Sequence, residues 1–266
     1  MMASLRGWLR RQLHARDLGL ERRPEPLLEH WGQQLRVDAG MVLAHLLLHR
    51  APLRFLQIGA YDGAANDLLH PFIRRGLLHG VFVEPQPGPC SQLQANYAGC
   101  DGLDFVQAAV AREAGEAKFY RVRGEVADLV QGSRQMAGFS PDVLLKHYAG
   151  LLPDPQAAIE TFTVPTVTCR ELLERGGVAG PDVLQIDTEG FDYEVLKLWD
   201  FTAHRPALVN FEAIHLSRAD RHAAYRLLLG HGYLLEEHGW DCVAYRREVR
   251  EAPFPVAVVR EAAARA

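Results

Sequence analysis

Short apolar runs that stop abruptly on a glycine or an acid, spaced by stretches of helical period, constrain this chain most. Leu53–Ile58 runs into Gly59, residues 81–83 into Glu84, Val183–Ile186 into Asp187, and residues 207–211 into Glu212. Phe105-Val106 with Ala108-Ala109 reads as one further strand. Apolar runs this short and unbroken are strands buried on both faces. Helical spacing marks residues 65–75, 90–97, Cys169–Arg175 and 193–199. Asp38 is placed to cap another helix running to about His49. Strands alternating with helices predict an α/β fold whose mostly parallel sheet is covered on both sides. The end differs. Tyr233-Leu234-Leu235 and residues 242–245 flank His238-Gly239-Trp240, a hairpin signal that predicts an antiparallel close to the sheet.

About 70 residues separate the third of these strands from the fourth, too many for a simple crossover. They hold expected strands at 117–122 and 161–167 and an expected helix at 142–148. We read residues 112–166 as a cap inserted over the site, within a catalytic domain of residues 51–247. Residues 1–50 form an N-terminal helical extension and 248–266 a C-terminal tail.

The extension carries its own charge. Six arginines against two acids give residues 1–23 a net +4, so the rest carries −8 of the overall −4. Leu5, Trp8, Leu9 and Leu13 fall on one helical stripe. A helix packed on its own domain, or on a sister subunit of a homodimer, explains this better than contact with a membrane surface. The net negative charge argues against a nucleic-acid partner. The longest apolar run is too short to span a bilayer, and the basic N-terminus is not followed by a secretory signal. Four cysteines without a Cys-x-x-Cys pair fit a reducing, cytoplasmic setting. The 26 arginines against 3 lysines suggest a GC-rich bacterial source.

Chemistry concentrates where strands end. Gly59-Ala60-Tyr61-Asp62-Gly63 follows the first strand, and its glycines would let backbone approach a ligand closely. The spacing is not the Gly-x-Gly-x-x-Gly of dinucleotide sites, and Asp62 would repel a pyrophosphate. A cationic or zwitterionic nucleoside suits the turn better, although an ordinary structural βα turn could look the same. Glu84-Pro85 ends the second strand, 25 residues after Gly59, where a carboxylate can take a ribose diol; solvent-facing acids at strand ends are also common. Asp187 and Glu189 follow the fourth strand, and Glu212 and His215 the fifth. The two acids after the fourth strand could merely favour a helix N-terminus, and a lone histidine is more often structural. Asp187, Glu189 and Glu212 could share a cation, but acids in a crevice more often stay metal-free, and no metal is assigned.

Taken in order, these segments resemble the FkbM family of S-adenosylmethionine-dependent methyltransferases. The resemblance runs over residues 53–246 through Ile58-Gly59-Ala60-Tyr61-Asp62-Gly63, Val83-Glu84-Pro85 with Leu93 and Asn96, and Ala108-Ala109-Val110 before Gly115. It continues through Val167-Thr168-Cys169-Arg170-Glu171-Leu172-Leu173, residues 184–190, and the strand ending in Glu212. Tyr61 stands where many members have Asn, and Cys169 where many have Leu. The resemblance implies a doubly wound, Rossmann-like class I methyltransferase fold with a seven-stranded sheet. It implies S-adenosylmethionine as cofactor and a hydroxyl on a sugar or secondary metabolite as acceptor. Carried over residue by residue, the loop from Gly59 to Gly63 lies against the donor's amino-acid part, Glu84 and Pro85 flank its ribose, Gln107, Ala108 and Ala109 border its adenine, and Asp187 sits near the reacting centre.

The chemistry agrees. An acidic crevice favours a cationic sulfonium, and the acceptor hydroxyl must lose a proton, for which Asp187, His215, Glu189 and Glu212 are the candidate bases. Two other readings compete: a methyltransferase-fold binding module without turnover, and a nicotinamide-dependent oxidoreductase, which the missing phosphate-loop spacing disfavours.

Overall fold

β1 (Leu53–Ile58) is the middle of the molecule, and its alternation sets up both cores. The computed structural model describes residues 37–127, 136–152, 154–175 and 180–251. Leu53 and Phe55 point to one face of the sheet, and Leu56 and Ile58 to the other. β1 pairs in parallel with β2 (Leu78–Val83) on one side and β8 (Val183–Ile186) on the other. β3 (Leu103–Val106) extends the sheet beyond β2, and β9 (Leu208–Glu212) extends it beyond β8, both in parallel. β11 (Asp241–Arg246) lies antiparallel between β9 and β10 (Tyr233–His238). The seven-stranded order is β10-β11-β9-β8-β1-β2-β3. The expected antiparallel hairpin closes it, and the order reverses direction between β1 and β8, where an open sheet exposes a crevice.

One face is covered by α1 (Ala39–His49), α2 (His70–Ile73) and α3 (Pro87–Asn96), which bring Leu43, Leu47, Phe72, Ile73 and Leu93 onto Phe55 and Phe82. Asp38 caps α1 as expected, accepting from the Met41 N–H at 2.7 Å. α1 is buried from Ala39 to Leu47, so the stretch read as an N-terminal extension ends in a helix that belongs to the core. The basic stripe of residues 1–23 and the tail beyond 251 lie outside the described residues. The other face is covered by α7 (Cys169–Arg175), α8 (Asp192–Leu198) and α9 (Arg218–Gly230), through Leu172, Val195, Leu196, Ala224 and Leu228.

Two expectations need correction, and one element went unread. The helix expected over 65–75 shrinks to the four residues of α2. Asn66 is left-handed (φ 57°), and the Asp67 carboxylate takes the Leu69 and His70 N–H groups, so the chain turns rather than winds. The third strand breaks in two. Its first half, β3, stays in the main sheet, whereas β4 (Ala109–Val110) leaves it to pair with β7 (Ile159–Val167). Finally, α9 has no counterpart in the sequence reading, although Ser217 caps it by accepting from the Asp220 N–H at 3.1 Å; that Ser-x-x-Asp spacing was legible.

The insertion forms a second sheet, β4-β7-β5-β6, with β5 (Gly115–Val122) and β6 (Ala137–Gly138). Short helices α4 (Gly124–Ala127), α5 (Pro141–Tyr148) and α6 (Pro155–Ala158) accompany it. It keeps small cores of its own around Leu144 and Tyr148 and around Phe119 and Val164. α10 (Arg247–Glu251) follows β11.

Candidate active site

Phe119 of β5, Ala137 of β6 with its neighbours Met136 and Phe139, and His147 of α5 line a cavity of about 560 Å³ at the C-terminal ends of β1, β2, β8 and β9. Asp38, Asp67, Glu84, Asp187, Glu189, Glu212 and Asp241 line it; no lysine or arginine does, among the described residues. The cavity therefore suits a cation and offers no counter-charge to a phosphate.

The loop after β1 is held by packing. A Cβ on Gly59 would sit 1.6 Å from the Asp187 carbonyl oxygen, and φ there is +78°. A Cβ on Gly63 (φ +64°) would meet Leu93 at 2.3 Å and Tyr97 at 2.8 Å. Both glycines serve close approach, but to protein atoms rather than to a ligand. Gly59, Ala60 and Tyr61 line the cavity; Asp62 and Gly63 do not. The Asp62 carboxylate instead accepts from the Ala64 and Ala65 N–H groups, both at 2.9 Å. Tyr61 takes a left-handed φ of 48°.

Glu84 ties this loop to the next. One carboxylate oxygen accepts from the Tyr61 N–H and the other from the Gln86 N–H, each at 2.8 Å. An ionised carboxylate has about four acceptor positions, so the cavity side retains capacity for a diol. Burial pushes its pKa up to about 7. Pro85, Ala108 and Ala109 also line the cavity; Gln107 is exposed and does not.

At the switch point the acids gather. Asp187 follows β8, its N–H bonded to the Ile58 carbonyl at 2.9 Å. The residue is open to the cavity, yet desolvation of its carboxyl, with the charge of Glu189 beside it, holds its pKa well above the usual carboxylate range. Glu189 adopts φ 53° and Gly190 φ 96°, a left-handed pair that turns the chain back toward α8. Glu212 is 8% exposed at the end of β9, and burial, with the charge of Asp187, pushes it up to about 10. His215 Nε2 lies 3.3 Å from Glu189 Oε2 and 3.8 Å from Glu212 Oε2. Burial and then His147 pull the His215 pKa down. The three ligand atoms lie within 4.8 Å of one another. All four predicted catalytic side chains thus line one cavity, but it is Glu189, Glu212 and His215, without Asp187, whose ligand atoms converge.

Sequence reasoning missed the residues that hold this arrangement. Asp192 is fully buried; it accepts from Thr188 Oγ1 at 3.0 Å and from the Gly190 and Glu212 N–H groups at 3.3 Å each, joining the turn after β8 to the end of β9. Its place at the start of α8, in the run Asp187-Thr188-Glu189-Gly190-Phe191-Asp192, was the available signal. Gln57, Gln185 and Asn210 occupy one register position across β1, β8 and β9. Asn210 donates to Gln185 Oε1 at 3.1 Å and Gln57 to Asp67 Oδ2 at 2.6 Å. Strand registry alone aligns this polar row, so nothing local marks it.

Residues 57–239 match the model of the methyltransferase FkbM domain. Similar solved structures include a methyltransferase FkbM from Methylobacillus flagellatus KT (13% identity, 83% of this chain and 58% of that one, TM-score 0.45). Others are an O-methyltransferase from Bacillus cereus in complex with SAH (12% identity, 92% and 100%, TM-score 0.40) and a ribosomal protein L11 methylase from Lactobacillus delbrueckii subsp. bulgaricus (10% identity, 78% of each chain, TM-score 0.39). No curated protein matches.

Proposed function

The chain belongs to the FkbM methyltransferase family, and from that premise we propose that it methylates a hydroxyl of a sugar or secondary metabolite. S-adenosylmethionine is the cofactor. It supplies a methyl group on a cationic sulfur: the acceptor oxygen bonds the methyl carbon, the S–C bond breaks with its electron pair going to sulfur, and the hydroxyl proton passes to a base. The observation that carries this reading is the acidic cavity at the switch point, with seven lining acids and no lysine or arginine among the described residues. Such a lining favours a sulfonium before transfer and releases the neutral thioether after it. A dinucleotide would find no cation there for its pyrophosphate, which weighs against the oxidoreductase alternative.

In this reading Glu84 accepts the ribose hydroxyls with the oxygen capacity that Tyr61 and Gln86 leave free. Gly59, Ala60 and Tyr61 bound the donor's amino-acid end, and Ala108 and Ala109 its adenine. Asp187 faces the sulfonium. The half-buried imidazole of His215, whose pKa burial and His147 hold down, can accept the hydroxyl proton, and Glu189 lies 3.3 Å from its Nε2. Phe119, Phe139 and His147 roof the acceptor side, and an apolar roof favours dry in-line transfer. Trp240 lines the rim and is 68% exposed, a flat face on which a sugar ring can rest.

Calorimetric titration with S-adenosylhomocysteine and, separately, with NADH tests the proposal. Saturable binding of the first and none of the second is expected. Binding of NADH alone overturns the reading, and binding of neither favours a module without turnover.

A further inference from the structure

We propose that Glu189, Glu212 and His215 form a binding site for one divalent cation of the Mn²⁺ or Zn²⁺ class, open on the cavity side to an oxygen of the acceptor. Two carboxylate oxygens and an imidazole nitrogen converge there from two strand ends. Ligands bonded to one such ion at about 2.1 Å lie about 3–3.5 Å apart. The observed 3.3 Å and 3.8 Å from His215 Nε2, with all three atoms within 4.8 Å of one another, mean that side-chain movements of up to about an ångström bring the set to that spacing.

The hydrogen bonding points the same way. Glu189 Oε2 and Glu212 Oε2 are buried without a hydrogen-bond partner, and these are the two oxygens turned toward His215 Nε2. Leaving a buried carboxylate oxygen unsatisfied is costly. Neighbouring acids are provided for: the buried Asp192 accepts from three donors, and in the cavity lining the half-buried Asp67 accepts from three and the buried Glu84 from two. The Gly190 and Glu212 N–H groups that donate to Asp192 also fix the backbone beside the two glutamates, whose orphaned oxygens lie within 4.8 Å of each other. A cation between them satisfies both.

The donor set selects the ion class. Carboxylates alone would suit Mg²⁺ or Ca²⁺, whereas an added imidazole shifts the preference toward Mn²⁺, Fe²⁺ or Zn²⁺. Three protein ligands leave coordination positions for a substrate, as in catalytic rather than structural sites. There the ion would polarise the acceptor hydroxyl and ease loss of its proton, in place of the base role that His215 has only when its Nε2 holds no ion; this rests on the methyltransferase reading, and ion binding itself does not.

The experiment uses the full chain dialysed against EDTA and titrated with Mn²⁺, and in parallel with S-adenosylhomocysteine. One Mn²⁺ per chain is expected, with affinity reduced roughly tenfold or more in both Glu212→Gln and His215→Ala while S-adenosylhomocysteine still binds. No uptake of Mn²⁺ by protein that binds S-adenosylhomocysteine overturns the site, as does unchanged Mn²⁺ affinity in the variants. Should Glu212→Gln fail to fold, the half-buried His215→Ala decides. Mn²⁺ binding as expected without S-adenosylhomocysteine binding supports the ion site and overturns the methyltransferase reading instead.

Discussion

Glu84 shows how one residue can hold the scaffold and face the cavity. Its two oxygens draw the loop after β1 and the turn after β2 together, and the same carboxylate lines the cavity. Replacing charge-assisted bonds costs roughly 1.5–3 kcal/mol, so Glu84→Gln should weaken S-adenosylhomocysteine binding by about tenfold or more, read by calorimetry. Stability should respond to pH as well. Burial raises the folded pKa from 4.5 to about 7, so the folded state holds this proton longer than the unfolded one. The contribution of Glu84 is then best below about pH 4.5 and is lost as pH rises to about 7, by on the order of 3 kcal/mol. Denaturant unfolding of Glu84→Gln should show that part of the decline removed; a pH profile identical to the parent would contradict it. The position of Glu84 was legible because an acid ending a buried strand is conspicuous. Its bonds to Tyr61 and Gln86 were not, since they depend on how two turns face each other.

Among the elements, the second sheet gives the cavity its roof. α5 brings His147 over the cavity, 6.2 Å from His215 between ring centroids. This helix begins at Ser140, whose hydroxyl accepts from the Asp142 N–H, and it stays with its sheet through Leu144 and Tyr148. In the proposed reading the methyl donor lies on the other side, against the loops after β1 and β2. His147→Ala should therefore raise the acceptor KM by roughly tenfold and leave S-adenosylhomocysteine affinity unchanged; loss of both in a folded protein would place His147 in the donor site. Elements with a strong internal pattern were legible: β1, β8, α7 and the hairpin fall where apolar runs and turn residues put them. The strand over 105–109 and the helix over 65–75 were misread because β4 follows pairing with β7, and because Asp67 captures the N–H groups that a longer helix would have used.

For the whole molecule, the cavity gathers seven acids, Glu84 and Glu212 among them buried, that folding must accommodate and a bound ligand stabilises. S-adenosylhomocysteine at about a hundred times its Kd should add about 2.7 kcal/mol to stability, roughly 5–10 °C in Tm for a chain of this size. NADH at the same concentration should add nothing; equal shifts from both would mean that the cavity does not discriminate. The amino-acid order by itself determined the alternation of strands and helices, the switch from apolar run to glycine or acid at each strand end, and hence the α/β class and the edge where ligands bind. Those features are local, written in periodicity and in the residue that ends each run. Tertiary structure alone decided that Gly59 must clear the Asp187 carbonyl, that Asp192 joins the ends of β8 and β9, and that Glu189, Glu212 and His215 meet. Residue 189 follows β8 and residue 212 ends β9, strands whose adjacency comes from sheet order, and the direction of a side chain across that gap depends on registry and packing that no short stretch of sequence encodes.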